Sequence, residues 1–357
     1  MKTNLFAITA FLAAGLLLSA CTPSTEVKNV IYIIGDGMGW GAVSTPIMQR
    51  LGADSTAFSR ITHIGCATTF SADAKVTDSA AGGTALAAGE KTNNGTVGIN
   101  AAGDTLTSVL VKAQQKGMAT GIVVNTAILD ATPAAFYGHV AKRAMWFELA
   151  EQMTQNPADV FIGAGLPSFT QRPDSVDLLP RFTANGYQVV TDWPSFEALN
   201  PDSMAAEKVA ALFSYSSYRA LQEDVPGFLP KVVAKALAIF DKIANPNGFF
   251  LMIEEAQIDG QGHTNNSEGM VAEMEVLNQV LTQALDYADA HPGTLVILTA
   301  DHETGGTTIG YGAEPKFSTT GHSGMVVPVF AYGPGADHFC GFMDNVDIPK
   351  KIEALLK

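Results

Sequence analysis

Cysteine is scarce in this chain, with three in 357 residues. Three cannot build the disulfide framework on which small secreted folds rely. Charge is scarce as well: 16% of residues are charged, and the 21 basic ones are outnumbered by 35 acidic ones. The net charge of -14 leaves no basic footprint for a nucleic-acid backbone. An anionic ligand would meet a repulsive field unless something local outweighed it, and bound divalent cations do so. There is no internal repeat, no low-complexity linker and no G-x-G-x-x-G dinucleotide loop. The C-x-P-x-R run that a sulfatase needs is missing too, because Cys66 sits in GCATTF.

The longest apolar run is confined to the start, MKTNLFAITAFLAAGLLLSACTPSTEVKN. It follows a short basic start at Lys2 and gives way quickly to polar sequence. It therefore reads as an export signal over residues 1–20 rather than a spanning helix. Leu18-Ser19-Ala20-Cys21 resembles a bacterial lipobox, which implies cleavage before Cys21 and lipidation of that cysteine; an ordinary secretory signal cut nearby is the other reading. Both put the mature chain outside the cytoplasm. Thr22 suggests, by resemblance to sorting rules, the outer membrane of a Gram-negative cell. The expectation is an exported lipoprotein of the periplasm or outer membrane, held to the membrane by the lipid on Cys21, with 21–28 as its tether. Cys66 and Cys340 are left, either bridged in an oxidising compartment or unpaired and buried.

Beyond residue 28, apolar runs alternate with helical patterns. VIYIIG (30–35), ATGIVV (119–124), DVFIGA (159–164), GYQVV (186–190), GFFLMIE (248–254), TLVILT (294–299) and VPVFAYG (327–333) are continuous rather than alternating, as expected of strands buried on both faces. Helical patterns fall near 79–89, 104–116, 143–154, 229–244 and 268–289. The order predicts an α/β three-layer sandwich with a mostly parallel central sheet flanked by helices, as one domain over 29–357. The proline-rich stretch 165–228 reads as a connecting or cap-like region of that domain.

Ligands of open α/β sheets bind beyond the carboxyl ends of the strands. Asp36, Glu254, Asp301 and His302 all sit at such ends. Asp36 lies in GDGMG, which suits a tight turn or a metal site. Asp259 and His263 are four apart in EEAQIDGQGH, on one face if helical, although Gly260 and Gly262 allow a loop instead. His322, in TTGHSG, is of a type that serves structure or a metal. Together Asp36, Asp259, His263, Asp301, His302 and His322 make two sets of three, which suits two zinc ions with open positions. Thr132 and Asp130, with Glu254 and Asp36, suit a hard ion such as magnesium. Arg143 offers either a surface cation or a fork for phosphate. His139 reads as structural. In VTDSAAGGTALAAG, Asp78 and Ser79 are both helix-capping types, and Ser79 is also a candidate nucleophile.

VIYIIGDGMG, VTDSAAGGTALAAG, LDATPAAFYGHVAKR, FFLMIEEAQIDGQGH, LVILTADH and TGHSG before VPVFAYGPGA occur in the order found in the alkaline phosphatase family, and from about Asn29 onward the chain resembles that family. The resemblance implies two zinc ions and one magnesium ion per chain. Asp36, Asp301 and His302 would hold one zinc, and Asp259, His263 and His322 the other. Asp36 would bridge to magnesium with Thr132 and Glu254, with Asp130 acting on magnesium-bound water. Ser79 matches the nucleophile and Arg143 the phosphate-gripping arginine. The implied function is hydrolysis of small phosphate monoesters through a phosphoserine, with a homodimer as the family's frequent assembly. A phosphodiesterase on the same fold and a non-catalytic surface lipoprotein capturing metal or phosphate are the competing readings. Gly260 departs from relatives that carry Lys or His there, and the stretch between His302 and His322 is short.

Overall fold

The computed structural model describes residues 26–49, 56–155, 158–204, 206–215 and 218–356. The signal segment, Cys21 and residues 21–25 of the tether lie outside the described residues. In chain order the strands are β1 (Asn29–Gly35), β2 (His63–Thr68), β3 (Ala119–Ala127), β4 (Val160–Ala164), β5 (Tyr187–Val190), β6 (Lys208–Phe213), β7 (Phe249–Glu255) and β8 (Thr294–Thr299). Four two-residue strands follow: β9 (Glu303–Thr304), β10 (Thr308–Ile309), β11 (Pro315–Lys316) and β12 (His322–Ser323). The last two are β13 (Val327–Tyr332) and β14 (Gly341–Asp344).

One ten-stranded sheet runs in the order β14-β2-β13-β8-β1-β7-β3-β4-β6-β5. Its central members β1, β7 and β8 are buried almost end to end, which accounts for their unbroken apolar sequences. Helices Phe228–Ile243 and Ser267–Ala290 pack on β3 and β8 and on each other, and Val109–Gln115 packs on β3 and β7. The sheet is parallel throughout except where β13 meets β8 and β2. The cause is local. The chain leaves β8 at the carboxyl edge, stays there through β9 to β12, and re-enters the sheet from that edge, so β13 must run back.

All seven expected strands form, and the mostly parallel α/β sandwich is the architecture observed. Residues 165–228 are more than the connecting or cap-like region expected. They carry the expected β5 and, beyond it, the unexpected β6, and both extend the sheet at one edge. Four of the prolines there, Pro167, Pro180, Pro194 and Pro201, occupy the first or second position of short helices, where a missing N–H costs little. Among the described residues, no helix is long and apolar enough to cross a membrane.

A buried polar cluster fixes the turn from β7 into the helix Gln257–His263. Asn125 Nδ2 donates to Glu255 Oε1 at 2.8 Å, and Asn125 Oδ1 accepts the Ala256 N–H at 2.8 Å. The Gln257 and Ile258 N–H groups donate to the same carboxylate at 3.1 and 3.2 Å. Burial, and next the Glu273 carboxylate, push Glu255 up to about 8. The folded chain thus holds a proton that the unfolded chain releases near its ordinary value of about 4.3. The associated stability is present below that value and declines as pH climbs toward 8. Glu273→Gln removes the repelling neighbour, so the fall in melting temperature between pH 5 and pH 8 should be shallower than in the parent chain. Equal slopes in the two proteins would count against this account.

Candidate active site

The segments that meet at the carboxyl edge are built for close approach. Asp36 follows β1 in a turn where Gly37 has φ +73°, and a Cβ there would also lie 2.7 Å from the Asp259 Cα. Both conditions require glycine. The helix Ser79–Ala88 is capped by Asp78, whose Oδ1 accepts the Ala81 N–H at 3.0 Å. The Asp-Ser pair therefore divides its tasks: Asp78 is the cap and Ser79 the first helical residue. Every residue from Ser79 to Ala87 is buried, so no polar face is needed. A Cβ on Gly82 or Gly83 would come within 3.0 Å of the Asp301 carbonyl or the Thr132 Cα. Small residues let this helix pass between those two segments.

Asp259 and His263 do sit one turn apart on a helix, despite Gly260 and Gly262. A Cβ on Gly262 would lie 2.8 Å from the Thr304 Cγ2, whereas Gly260 faces open space beyond Gln257. Asp301 and His302 come just past β8, and β12 pairs with β9 to bring His322 alongside.

Three histidines point the same nitrogen inward. His322 Nδ1 lies 2.8 Å from the Thr77 carbonyl, and His263 Nδ1 lies 2.6 Å from the Thr320 carbonyl. A carbonyl only accepts, so both Nδ1 atoms carry a proton, and each ring when neutral keeps a lone pair on Nε2. Against its burial, the contact with Asp259 raises His322 above the ordinary imidazole value. His302 Nδ1 is 3.2 Å from Thr304 Oγ1, which itself donates to Asp259 Oδ1 at 2.5 Å. His302 Nε2 is thereby also left as an acceptor. It lies 3.2 Å from Ser79 Oγ, 3.4 Å from Asp36 Oδ1 and 3.2 Å from Asp301 Oδ2. Asp259 is 3.3 Å from the Nε2 atoms of both His263 and His322, which are 3.1 Å from each other.

The electrostatics follow from this crowding. Burial, then Asp301, raises Asp36 well above the usual carboxylate range. Burial, then Asp259, pushes Asp301 up to about 7. Burial, then Asp130, raises Glu254 well above its ordinary value. Asp259 goes the other way: against its burial, His322 and other hydrogen-bonding partners hold it down at about 2. Burial, then His322, lowers His302 to about 3, so its imidazole is neutral.

The donor set fits metal ions. Asp36 Oδ1, Asp301 Oδ2, Thr132 Oγ1 and Glu254 Oε2 are buried oxygens without a hydrogen-bond partner, a costly condition that a cation relieves. Two groups of three offer ligand atoms within 4.8 Å of one another, Asp36–Asp301–His302 and Asp259–His302–His322. The first is the set expected from the sequence. The second has His302 in the place expected for His263. The reason is that the His302 ring stacks on His322 with centroids 3.6 Å apart, while His263 lies toward solvent at the rim and still touches Asp259 and His322.

On the other side, Arg143 Nη2 donates to Asp130 Oδ1 at 3.0 Å, and Nη1 lies 3.5 Å from Asp78 Oδ2. Asp78 and Thr304 are the residues that sequence reasoning did not place in the site. Asp78 was visible as a cap, but its second oxygen, shared by Arg143 and the Gly95 N–H, depends on tertiary pairing. Thr304 had no signal beyond its nearness to His302. His139 is structural, as read: its Nε2 meets the Leu106 carbonyl at 2.7 Å. Cys66 and Cys340 are both free, but not buried as the unpaired reading expected: Cys66 is half-buried on β2, next to the edge strand, and Cys340 is exposed just before β14.

Comparison with known proteins agrees with this geometry. The alkaline phosphatase family profile matches residues 27–317. Alkaline phosphatase 4 of Bacillus subtilis is 30% identical, over 100% of this chain and 97% of its own length. Streptomycin-6-phosphate phosphatase of Streptomyces griseus is also 30% identical, over 92% of this chain and 90% of its own. The solved alkaline phosphatase of the Antarctic bacterium TAB5 is 33% identical and superposes with a TM-score of 0.87, covering 93% of this chain and 98% of that one. A His 135 Asp variant of that enzyme, 34% identical to this chain with a TM-score of 0.85, is described with magnesium bound in its M3 site; the two cover 93% and 98% of their lengths. With a full-length match in sequence, a shared fold and a metal-binding donor set around a serine, the chain belongs to the alkaline phosphatase family and is a phosphoric monoester hydrolase.

Proposed function

We propose that the chain hydrolyses small phosphate monoesters of broad identity through a phosphoserine on Ser79, with two zinc ions and one magnesium ion per chain. The observation that carries the reading is the Ser79 hydroxyl at a helix start, 3.2 Å from an unprotonated imidazole nitrogen and beside partnerless buried carboxylate oxygens. Asp36, Asp301 and His302 would hold one zinc, Asp259, His263 and His322 the second, and Asp36, Thr132 and Glu254 the magnesium, with Asp130 beside it. When bound, these ions supply Lewis-acid stabilisation of oxygen anions.

The chain's own groups do the rest. Ser79 Oγ forms a bond to phosphorus as the ester P–O bond breaks, and the proton that Ser79 gives up is matched by the one the leaving oxygen takes from water, so that the alcohol departs. Water then cleaves the Ser79 phosphate and restores the hydroxyl. The N-terminal end of the Ser79–Ala88 helix favours the dianion. Arg143, oriented by Asp130 and Asp78, presents two N–H groups to the phosphoryl oxygens. One relative acts, by its name, on streptomycin-6-phosphate, which supports a monoester as substrate.

The reading extends to place and assembly. The Leu18–Cys21 tetrad supports export and a lipid on Cys21, hence the periplasm or outer membrane of a Gram-negative cell. Exposed Ile64 and Phe342, on adjacent strands β2 and β14, support a homodimer.

Ser79→Ala should lower kcat for a chromogenic phosphate monoester by roughly a thousandfold or more, with zinc content unchanged. Turnover close to that of the parent would remove Ser79 from the mechanism. Stripping metal with a chelator should abolish monoester hydrolysis, and restoring zinc with magnesium should return it. A diester analogue assayed in parallel should be the poorer substrate; faster diester turnover would move the function to a phosphodiesterase. Silence on both substrates with metal bound would favour capture without catalysis.

A further inference from the structure

Glu303 is a buried carboxylate that the chemistry above does not use. It follows His302 directly and stands in β9 opposite Ser323 of β12. One oxygen accepts the Thr307 N–H at 2.8 Å. The other accepts the Gly306 N–H at 3.2 Å and the Ser323 hydroxyl. The stem of the side chain covers Gly39, where a Cβ would lie 2.1 Å from the Glu303 Cγ. A single side chain thus touches three segments that carry the inward-facing ligands. These are the turn Gly35–Gly39 with Asp36, its own strand next to Asp301 and His302, and β12 with His322.

We propose that Glu303 is a positioning residue that holds the Asp36 turn and His322 in register with His302, and so sets how tightly the chain keeps its metal. Its contacts are with neutral donors and with the glycine backbone, so it acts through those segments and not as a ligand. A residue that served only to join two short strands would have no reason to lie over Gly39 as well. The inference rests on the metal reading of the site, and its test separates the two.

The zinc-loaded full-length chain is mixed with a chromophoric chelator, and the rate of zinc transfer is followed for the parent, Glu303→Gln, Ser323→Ala, Gly39→Ala and the Glu303→Gln/Ser323→Ala double variant. Gly39→Ala displaces the Glu303 stem while leaving its charge intact, and it keeps the test alive if Glu303→Gln does not fold. Glu303→Gln and Gly39→Ala should release zinc about tenfold or more faster than the parent, in the range expected for groups that orient ligands. Ser323→Ala should speed release less, and should add little in the Glu303→Gln background, because both changes break one contact. Release rates within about twofold of the parent for both Glu303→Gln and Gly39→Ala, with only the metal-free melting temperature lowered, would overturn the proposal. A parent chain that binds zinc but shows no phosphatase turnover would sink the functional reading and leave this one standing. A parent that takes up no zinc would sink both.

Discussion

Repulsion among crowded carboxylates, three of them buried from water, is the constraint around which this molecule is organised. Asp36, Asp130, Glu254, Asp259 and Asp301 act on one another at one edge of the sheet, and three of them are raised above the carboxylate range by burial and by their neighbours. Two such charges about 4 Å apart repel by roughly 4 kcal/mol even at an effective dielectric near 20. A whole domain is stable by only about 5–15 kcal/mol. The cluster persists because its members stand on elements that cannot shift independently. Glu254 is locked in register between Ile34 of β1 and Val124 of β3. The Gly37 N–H and the His302 N–H both donate to Asp301 Oδ1, at 3.2 and 2.9 Å.

The histidines answer that constraint in a consistent way. Each inward ring has its Nδ1 proton committed to an acceptor, two to backbone carbonyls and one to Thr304. With the rings neutral, this tautomer leaves three Nε2 lone pairs directed at the same volume as the carboxylate oxygens. Lone pairs so arranged repel each other unless a cation lies among them. The backbone acceptors, Thr77 ahead of the Ser79 helix and Thr320 ahead of β12, thereby couple the loops to the orientation of the rings.

Strands β1, β3, β4, β7, β8 and β13 were readable because burial on both faces leaves a continuous apolar run, and the half-buried β5 by the short apolar run GYQVV. β2 was not: HIGCAT at the sheet margin has a mixed burial pattern with a glycine in it. KVAALF of β6 is apolar enough, but the prolines around it concealed it as part of a connecting region. At the site, the residues with chemistry of their own announced themselves by type and by position at strand ends. Asp78 as a second partner of Arg143, Thr304 between His302 and Asp259, and Glu303 over Gly39 did not. Their function lies in contacts between segments far apart in sequence, and no local spacing encodes those.

The sign of the charge at the site closes the argument about how an acidic chain handles an anion. Six carboxylates, those of Asp36, Asp78, Asp130, Glu254, Asp259 and Asp301, act on one another or on the one guanidinium that faces them, that of Arg143. His302 adds nothing, since it is held neutral. Arg143 is itself bound to two of the six, so the chain alone would repel a phosphate dianion. With every carboxylate ionised, two divalent cations would leave the site one charge negative, and three would make it one charge positive. Bound divalent cations are what turn this field from repulsive to attractive for a phosphate dianion. The same carboxylates that burden the fold thus make bound cations a condition for holding the anion that the site hydrolyses.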